Sequence, residues 1–382
     1  MQYIIVGCGL TGAVIARTLA EAGNSVQIWE RREYIGGNMY DYVDGHGFLV
    51  QKYGPHIFHT SRTDLYEYMC RFEQWKEQKL FCGAVWDGKY TPTPFNFTTI
   101  DTFYSVDQAK ILKQKLRDAF SGRNMVPVME ILHHEDADIR GYGEFLFHND
   151  YAPYTAKQWN LKPEEIDPSV LARVPVRLSY DEGYFTDTYQ VMPVHSFTAF
   201  FRSLLDHPGI QVSLGVEALH HLSVVGDQLL LNGCPCEIPV IYTGALDELF
   251  QCEYGRLPYR SLHFEWKFTE EESYQPAPVV AYPQEPGYTR ITEYKKLPVQ
   301  NGKGSSYAVE YPIAYEPEKG AEPYYPVLTE ESKALYEKYY QRAKRIKNLI
   351  FCGRLGDFKY YNMDQALARA LEVADDIIKS SK

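Results

Sequence analysis

The chain has 382 residues, 45% apolar and 23% charged; its length calls for more than one hydrophobic core, and its composition excludes wholesale disorder. With 39 basic against 50 acidic residues the net charge is −11, which argues against nucleic acid as a partner, since that needs a broadly basic surface. Any anionic ligand must then be held by a few local arginines. Aromatic side chains make up 15% of the chain, 32 of them tyrosine, which suits stacking on sugars, bases or a flavin.

The opening Met1-Gln-Tyr-Ile-Ile-Val-Gly carries no basic leader, and no uncharged apolar run approaches the roughly 18 residues that span a bilayer, so no membrane insertion is expected. Tyr3–Val6 predicts a buried parallel strand, followed at once by Gly7-Cys-Gly9-Leu-Thr-Gly12 and an Ala-rich helix from Ala13 to Ala22. Ser25–Glu30 completes a β-α-β unit. In that context the glycines permit a tight turn and close approach of a pyrophosphate to a helix N-terminus, and Glu30, 18 residues beyond Gly12, can accept ribose hydroxyls. Gly36-Gly37-Asn38 is a second backbone-exposing turn. The Glu-then-Gly-Gly arrangement is similar to the FAD-binding class related to glutathione reductase and amine oxidases, which favours FAD over NAD.

From about Leu80 to Ala152 helical patterns dominate, for example Asp107–Phe120 with apolar positions at Ala109, Ile111, Leu112, Leu116 and Phe120. Three prolines between Leu161 and Pro175 predict a loop or lid. Short alternating runs between Arg177 and Pro312, such as Val279–Tyr282, Tyr288–Tyr294 and Tyr307–Tyr311, predict antiparallel strands. A helix from Glu330 to about Lys347, a strand Leu349–Cys352 and a closing helix from Asp364 to Lys379 return the chain to the nucleotide-binding sheet. Seven scattered cysteines without a CxxC pair, and two histidines (His56, His59) without a nearby partner, predict no metal site and reduced thiols in a cytoplasmic protein.

Several further segments, taken together and in order, resemble the prokaryotic UDP-galactopyranose mutases. They are Lys52-Tyr-Gly-Pro-His-Ile-Phe-His-Thr60, Pro94-Phe-Asn96, Tyr154-Thr-Ala-Lys-Gln-Trp159, Arg173-Val-Pro-Val-Arg177, Tyr184-Phe-Thr-Asp187, Tyr259-Arg-Ser-Leu262, Tyr288-Thr-Arg-Ile291, Tyr324-Tyr-Pro326 and Gly353-Arg-Leu-Gly356 with Tyr360. The resemblance implies an α/β fold with a Rossmann-like FAD-binding domain (residues 1–80, 190–240 and 325–382), an inserted helical bundle (81–155), and an antiparallel sheet (156–189 and 241–324) with a lid near 161–176. It implies an isomerase that interconverts pyranose and furanose forms of a UDP-sugar, by default UDP-galactose. The FAD works reduced, its N5 attacking the anomeric carbon, and the protein is a homodimer.

The resemblance also distributes roles. Arg173 and Arg290 grip the diphosphate, and with Tyr325, Tyr360 and His59 form the catalytic set. Asn96, Tyr151, Tyr154, Thr155, Trp159 and Tyr184 complete the substrate site, with Tyr154 stacking on uracil. Cofactor contacts fall on Gly7, Gly9, Leu10, Thr11, Gly12, Glu30, Arg31, Gly37, Asn38, His56, Ile57, Val216, Arg354, Tyr361, Asn362, Met363 and Asp364. Arg290 has independent support, because Tyr288, Arg290, Thr292 and Tyr294 alternate onto one face of a strand.

Three positions depart from the family pattern. Asn362 stands where the closing motif usually has Asp, Ala281-Tyr282 where an Asn-Phe pair is common, and Asp181-Glu-Gly-Tyr184 where Asp-Asn-x-Tyr is usual. These leave open a mutase for another nucleoside-diphosphate hexose, and, on the same scaffold, an amine-oxidase-like flavin oxidoreductase.

Overall fold

The strand Gln2–Val6 is apolar from Tyr3 onward and lies at the centre of a five-stranded parallel sheet. Its neighbours are Ser25–Glu30, then Ile210–Leu214, on one side and Val240–Tyr242, then Leu349–Phe351, on the other. The strand order therefore reverses at Gln2–Val6, and the crevice beyond its carboxyl end is where an open α/β sheet binds ligands. This computed structural model describes residues 1–159 and 175–380. Arg173 and the predicted lid up to residue 174 lie outside the described residues.

The first helix is Leu10–Glu21, three residues earlier than its alanines suggest. Gly12 explains the early start: a β-carbon there would sit 2.1 Å from the Gly7 carbonyl oxygen, so only glycine lets the helix begin that close to the strand end. Val14, Ile15 and Leu19 of this helix pack in one core with Leu367, Ala370, Ala374 and Ile377 of the closing helix Met363–Ser380. The two ends of the chain thus form one layer against the sheet.

A seven-stranded sheet covers the second region. Its order is Tyr325–Pro326, Tyr259–Thr269, Ser305–Ala314, Arg290–Glu293, Val279–Ala281, Cys82–Trp86 and Lys89–Thr93. The last two strands lie in the segment expected to be helical. Asp87-Gly88 joins them as a two-residue hairpin with both residues at positive φ, the turn that fits the strands' twist. Helices begin only at Phe97–Phe103 and continue through Val106–Ala119 to Ala152–Trp159. Two further expected boundaries move. Val240–Tyr242 belongs to the parallel sheet, and Tyr325–Pro326 edges the seven-stranded one.

The helical unit has its own core, with Ile100, Leu112, Leu116, Ile139, Tyr142 and Leu146 against Trp86 and Phe95. Ile111, expected among the apolar positions, is 55% exposed: it falls off the stripe that Ala109, Leu112 and Leu116 bury.

Gly12→Ala tests the close approach. The added methyl forces the helix off the Gly7 carbonyl, destabilises the fold by about 1–3 kcal/mol and lowers bound dinucleotide in the purified protein. Thermal melting and the ratio of bound cofactor to protein check both effects.

Candidate active site

Two adjoining cavities open above the parallel sheet. The first is lined by Gly7, Gly9, Leu10, Thr11 and Gly12 at the helix N-terminus, by Glu30, Arg31 and Arg32 after the second strand, and by Gly36, Gly37 and Asn38. Val216, Glu322, Arg354 and Met363 close it. Gly9 and Gly37 meet backbone to backbone, since a β-carbon on Gly37 would lie 2.9 Å from the Gly9 α-carbon. Glu30 is buried, and its carboxylate accepts the N–H groups of Cys8 (2.8 Å) and Arg32 (2.9 Å), which fixes it at the mouth of the crevice.

On the far wall Glu322 pairs with Arg31 (2.7 Å) and Arg32 (3.0 Å). Burial favours the neutral form of Glu322, but the two guanidiniums outweigh it and hold the carboxyl below its ordinary range. Arg32 also donates to the Asn38 side chain (3.0 Å). A helix N-terminus with free N–H groups, a glycine-lined cradle and an anchored carboxylate are what a dinucleotide's pyrophosphate and ribose require, so these residues fit FAD.

The second cavity is continuous with the first, because His56, Arg354 and Met363 line both. It is walled by Tyr151, Tyr154 and Thr155 from the helical unit, Arg260, Ala281 and Arg290 from the seven-stranded sheet, and Tyr184, Tyr325, Tyr360 and His59. Arg290 projects from its strand as the alternation predicted. Its Nε and one terminal nitrogen each lie 2.8 Å from Oε2 of Glu310, which is buried directly opposite on the next strand. Burial disfavours the Arg290 charge, but the Glu310 carboxylate more than restores it and raises the guanidinium pKa further.

Tyr325 stacks on Tyr360 at 4.4 Å, and the Arg354 guanidinium lies 4.3 Å from the Tyr325 ring. Burial would raise the Tyr325 phenol, yet Arg354, Arg290 and its contact with Tyr360 bring it below the ordinary value. Buried His56 falls to about 4 and stays neutral. Its Nδ1 lies 2.8 Å from the Gly54 carbonyl oxygen, so that nitrogen carries the proton and Nε2 is an acceptor. Asp187 orients His59 at 2.8 Å, beneath the Phe185 ring.

Ile57, Tyr361 and Asn362 line the second cavity rather than the first. Asn96 and Asp364 line neither. Asn96 is buried as the cap of the helix Phe97–Phe103, accepting from Thr98 N–H (2.8 Å) and donating to the Asp181 carbonyl (3.1 Å), so both ends of its amide are engaged. Asp364 accepts from Thr60 (3.1 Å) and ties the closing helix to the strand Phe58–Thr60. Trp159 ends the helix Ala152–Trp159. Sequence reasoning missed Arg32, Glu322, Arg260, Asp150 and Glu310. Arg32 follows Arg31 directly, and Arg260 lies in a motif already noted; nothing local marks the acids.

These features define an enzyme that holds a dinucleotide cofactor beside an arginine-lined cavity for an anionic substrate. The family described as UDP-galactopyranose mutase matches residues 149–360, and a Rossmann-like NAD(P)-binding domain matches residues 5–72. The UDP-galactopyranose mutase of Mycoplasma pneumoniae is 35% identical over 99% of this chain and 96% of its own length. A probable UDP-galactopyranose mutase of Klebsiella pneumoniae is 36% identical over 99% and 95%, and the dTDP-fucopyranose mutase of Escherichia coli 34% over 100% and 99%. A crystal structure of reduced UDP-galactopyranose mutase shares the fold, with a TM-score of 0.73 at 17% identity over 99% of this chain and 94% of that one. The chain belongs to the UDP-galactopyranose mutase family.

Arg290→Ala tests the pair in both function and stability. Loss of a charge-assisted contact in a closed site lowers kcat/KM by tens- to hundreds-fold, about 2–4 kcal/mol. It also leaves the buried Glu310 carboxylate without its guanidinium, which destabilises the fold by roughly 3–5 kcal/mol. Steady-state kinetics and denaturant melts check the two effects.

Proposed function

We propose that the protein is a flavin-dependent mutase that interconverts the pyranose and furanose forms of a UDP-sugar, with UDP-galactose as the reference substrate. The observation that carries this reading is the junction: a dinucleotide cradle opens at His56, Arg354 and Met363 into a cavity where Arg290 is held ready on Glu310. Reduced FAD, when bound, supplies an electron-rich nucleophilic centre for the anomeric carbon. Arg290 takes the diphosphate and stabilises the charge that develops as UDP departs. By resemblance, Arg173 also grips the diphosphate. Tyr325 and Tyr360 lie beside that charge as hydroxyl donors, and Tyr154 offers a ring to the base. Neutral His56 adds no charge at the junction. The cavity walls confine the opened sugar until it recloses, which is the positioning the reaction demands.

The protein is proposed to act as a homodimer in the cytoplasm. Seven free cysteines support a reducing compartment, and no helix among the described residues is long and apolar enough to cross a membrane.

The sugar has a second reading. Asn362 is exposed, precedes the closing helix and lines the substrate cavity with Ala281, and both depart from the family pattern. A relative that acts on dTDP-fucopyranose is as similar to this chain as those named for UDP-galactopyranose. Together these favour a cavity adjusted to a different hexose.

Turnover is expected only after the flavin is reduced, with no stoichiometric use of reductant. Dithionite-treated enzyme should convert UDP-galactofuranose, followed by chromatography, while equal activity of the oxidised enzyme would remove the nucleophilic role. Amine-dependent oxygen consumption would instead favour an oxidase.

Asn362→Asp discriminates the sugars. If the cavity is neutralised for another hexose, restoring a carboxylate shifts the ratio of kcat/KM between UDP-galactose and other nucleotide sugars by tenfold or more, since mispaired polar groups in closed sites discriminate strongly. An unchanged ratio returns Asn362 to a helix-end role, where Asp serves equally well.

A further inference from the structure

We propose that Asp150 reads the nucleobase, presenting a protonated carboxyl to the imide edge of uracil or thymine. The assignment rests on the functional reading above, which puts the base beside Tyr154.

Asp150 belongs to the π-helical turn Phe147–Tyr151, which joins the helix Ala137–Leu146 to Ala152–Trp159. Such wide turns inside helical segments gather at functional sites. The residue is 9% exposed and lines the substrate cavity together with Tyr151, Tyr154 and Thr155. Among the described residues no hydrogen-bond donor reaches its carboxyl, and it makes no ion pair. A buried polar group without a partner carries a desolvation penalty that a ligand can relieve.

Lys157 is the charged group that acts on it, and its donors are already taken up. The ammonium reaches the carbonyl oxygens of Tyr282 (2.5 Å), Glu285 (2.7 Å) and Tyr288 (3.0 Å). The Tyr151 and Tyr154 phenols also feel the Asp150 charge, Arg290 and Arg260 reach Tyr154 from the sheet, and Glu285 faces Lys157. Burial raises the Asp150 carboxyl, Lys157 pulls against it, and the balance is about 7.

The chemistry of the base selects the protonated form. An imide edge presents an N–H donor flanked by carbonyl acceptors. A carboxylic acid offers an acceptor beside a donor and pairs with that edge through two hydrogen bonds. A carboxylate offers only acceptors, so its second oxygen faces a base carbonyl. Binding therefore takes up a proton as pH rises past the Asp150 value, and affinity falls.

The test uses holoenzyme with its flavin oxidised, so that UDP-galactose binds without turnover, and calorimetry between pH 5.5 and 8.5. Wild-type Kd should rise towards tenfold per pH unit above about pH 7. Asp150→Asn, whose amide offers the same donor beside an acceptor, should bind within threefold of wild type at pH 6 and lose the pH dependence. Asp150→Ala should weaken binding tenfold or more, and N3-methylation of the uracil should weaken wild type similarly while adding nothing in the Ala variant. A pH slope that survives in Asp150→Asn, or an N3-methyl loss equal in Ala and wild type, overturns the assignment while leaving the mutase reading intact. Wild type that binds no uridine or thymidine nucleotide sugar at any pH overturns the functional reading and this assignment with it.

Discussion

The guanidinium of Arg290 held on the buried carboxylate of Glu310 is the contact around which the substrate cavity is organised. Removing two charges from water is expensive, and the pair persists because its geometry is imposed by the sheet. The two residues face each other across adjacent antiparallel strands, and Thr289 supports Glu310 through both its backbone and its hydroxyl. A one-residue slip would send Arg290 to the opposite face. The long ladder between Tyr259–Thr269 and Ser305–Ala314 fixes the strand that carries Glu310 and so opposes such a slip.

Arg354 performs a related task at the cavity junction without a carboxylate. Its terminal nitrogens donate to the Tyr361 (2.9 Å) and Tyr324 (3.4 Å) carbonyls, and its face covers Tyr325. Backbone carbonyls orient the group, and among the described residues no carboxylate pairs with it. That charge acts on both cavities at once: burial does most to keep His56 neutral and Arg354 adds to it, while Arg354 leads the groups that outweigh burial and lower Tyr325. The closing strand-turn-helix is thus both part of the parallel sheet and the hinge of the site's electrostatics.

Legibility followed the range of the interaction. The glycine turn, Glu30 and the β-α-β unit were readable because each is a local constraint within about thirty residues. The Asp87-Gly88 hairpin was equally local, yet the surrounding helical periodicity masked it. Arg290 could be read from alternation, but Glu310, 20 positions away, follows only from strand register. Asn96 matched a motif yet lines neither cavity and caps a helix, a role the pattern did not distinguish from a substrate contact. Asp150 carried no pattern at all; an acidic residue in a helical stretch normally faces water, and only its burial sets it apart.

Charge balance links these residues to the substrate. The chain as a whole is acidic, so long-range attraction does not bring an anion to the site; the local arrangement must. Arg31 and Arg32 are answered by Glu322, and Arg290 by Glu310. Arg260 and Arg354 also line the substrate cavity, and the Glu310 carboxylate acts on Arg260 as well. An ionised Asp150 would cancel part of their field in the cavity that must receive a diphosphate. Protonated below about pH 7 through its burial, it leaves that field to the two phosphates and keeps its hydrogen-bonding capacity for the uncharged end of the ligand. The cavity thereby separates its labour along its length, with fixed cations where charge develops and a polar but uncharged contact where the base is recognised.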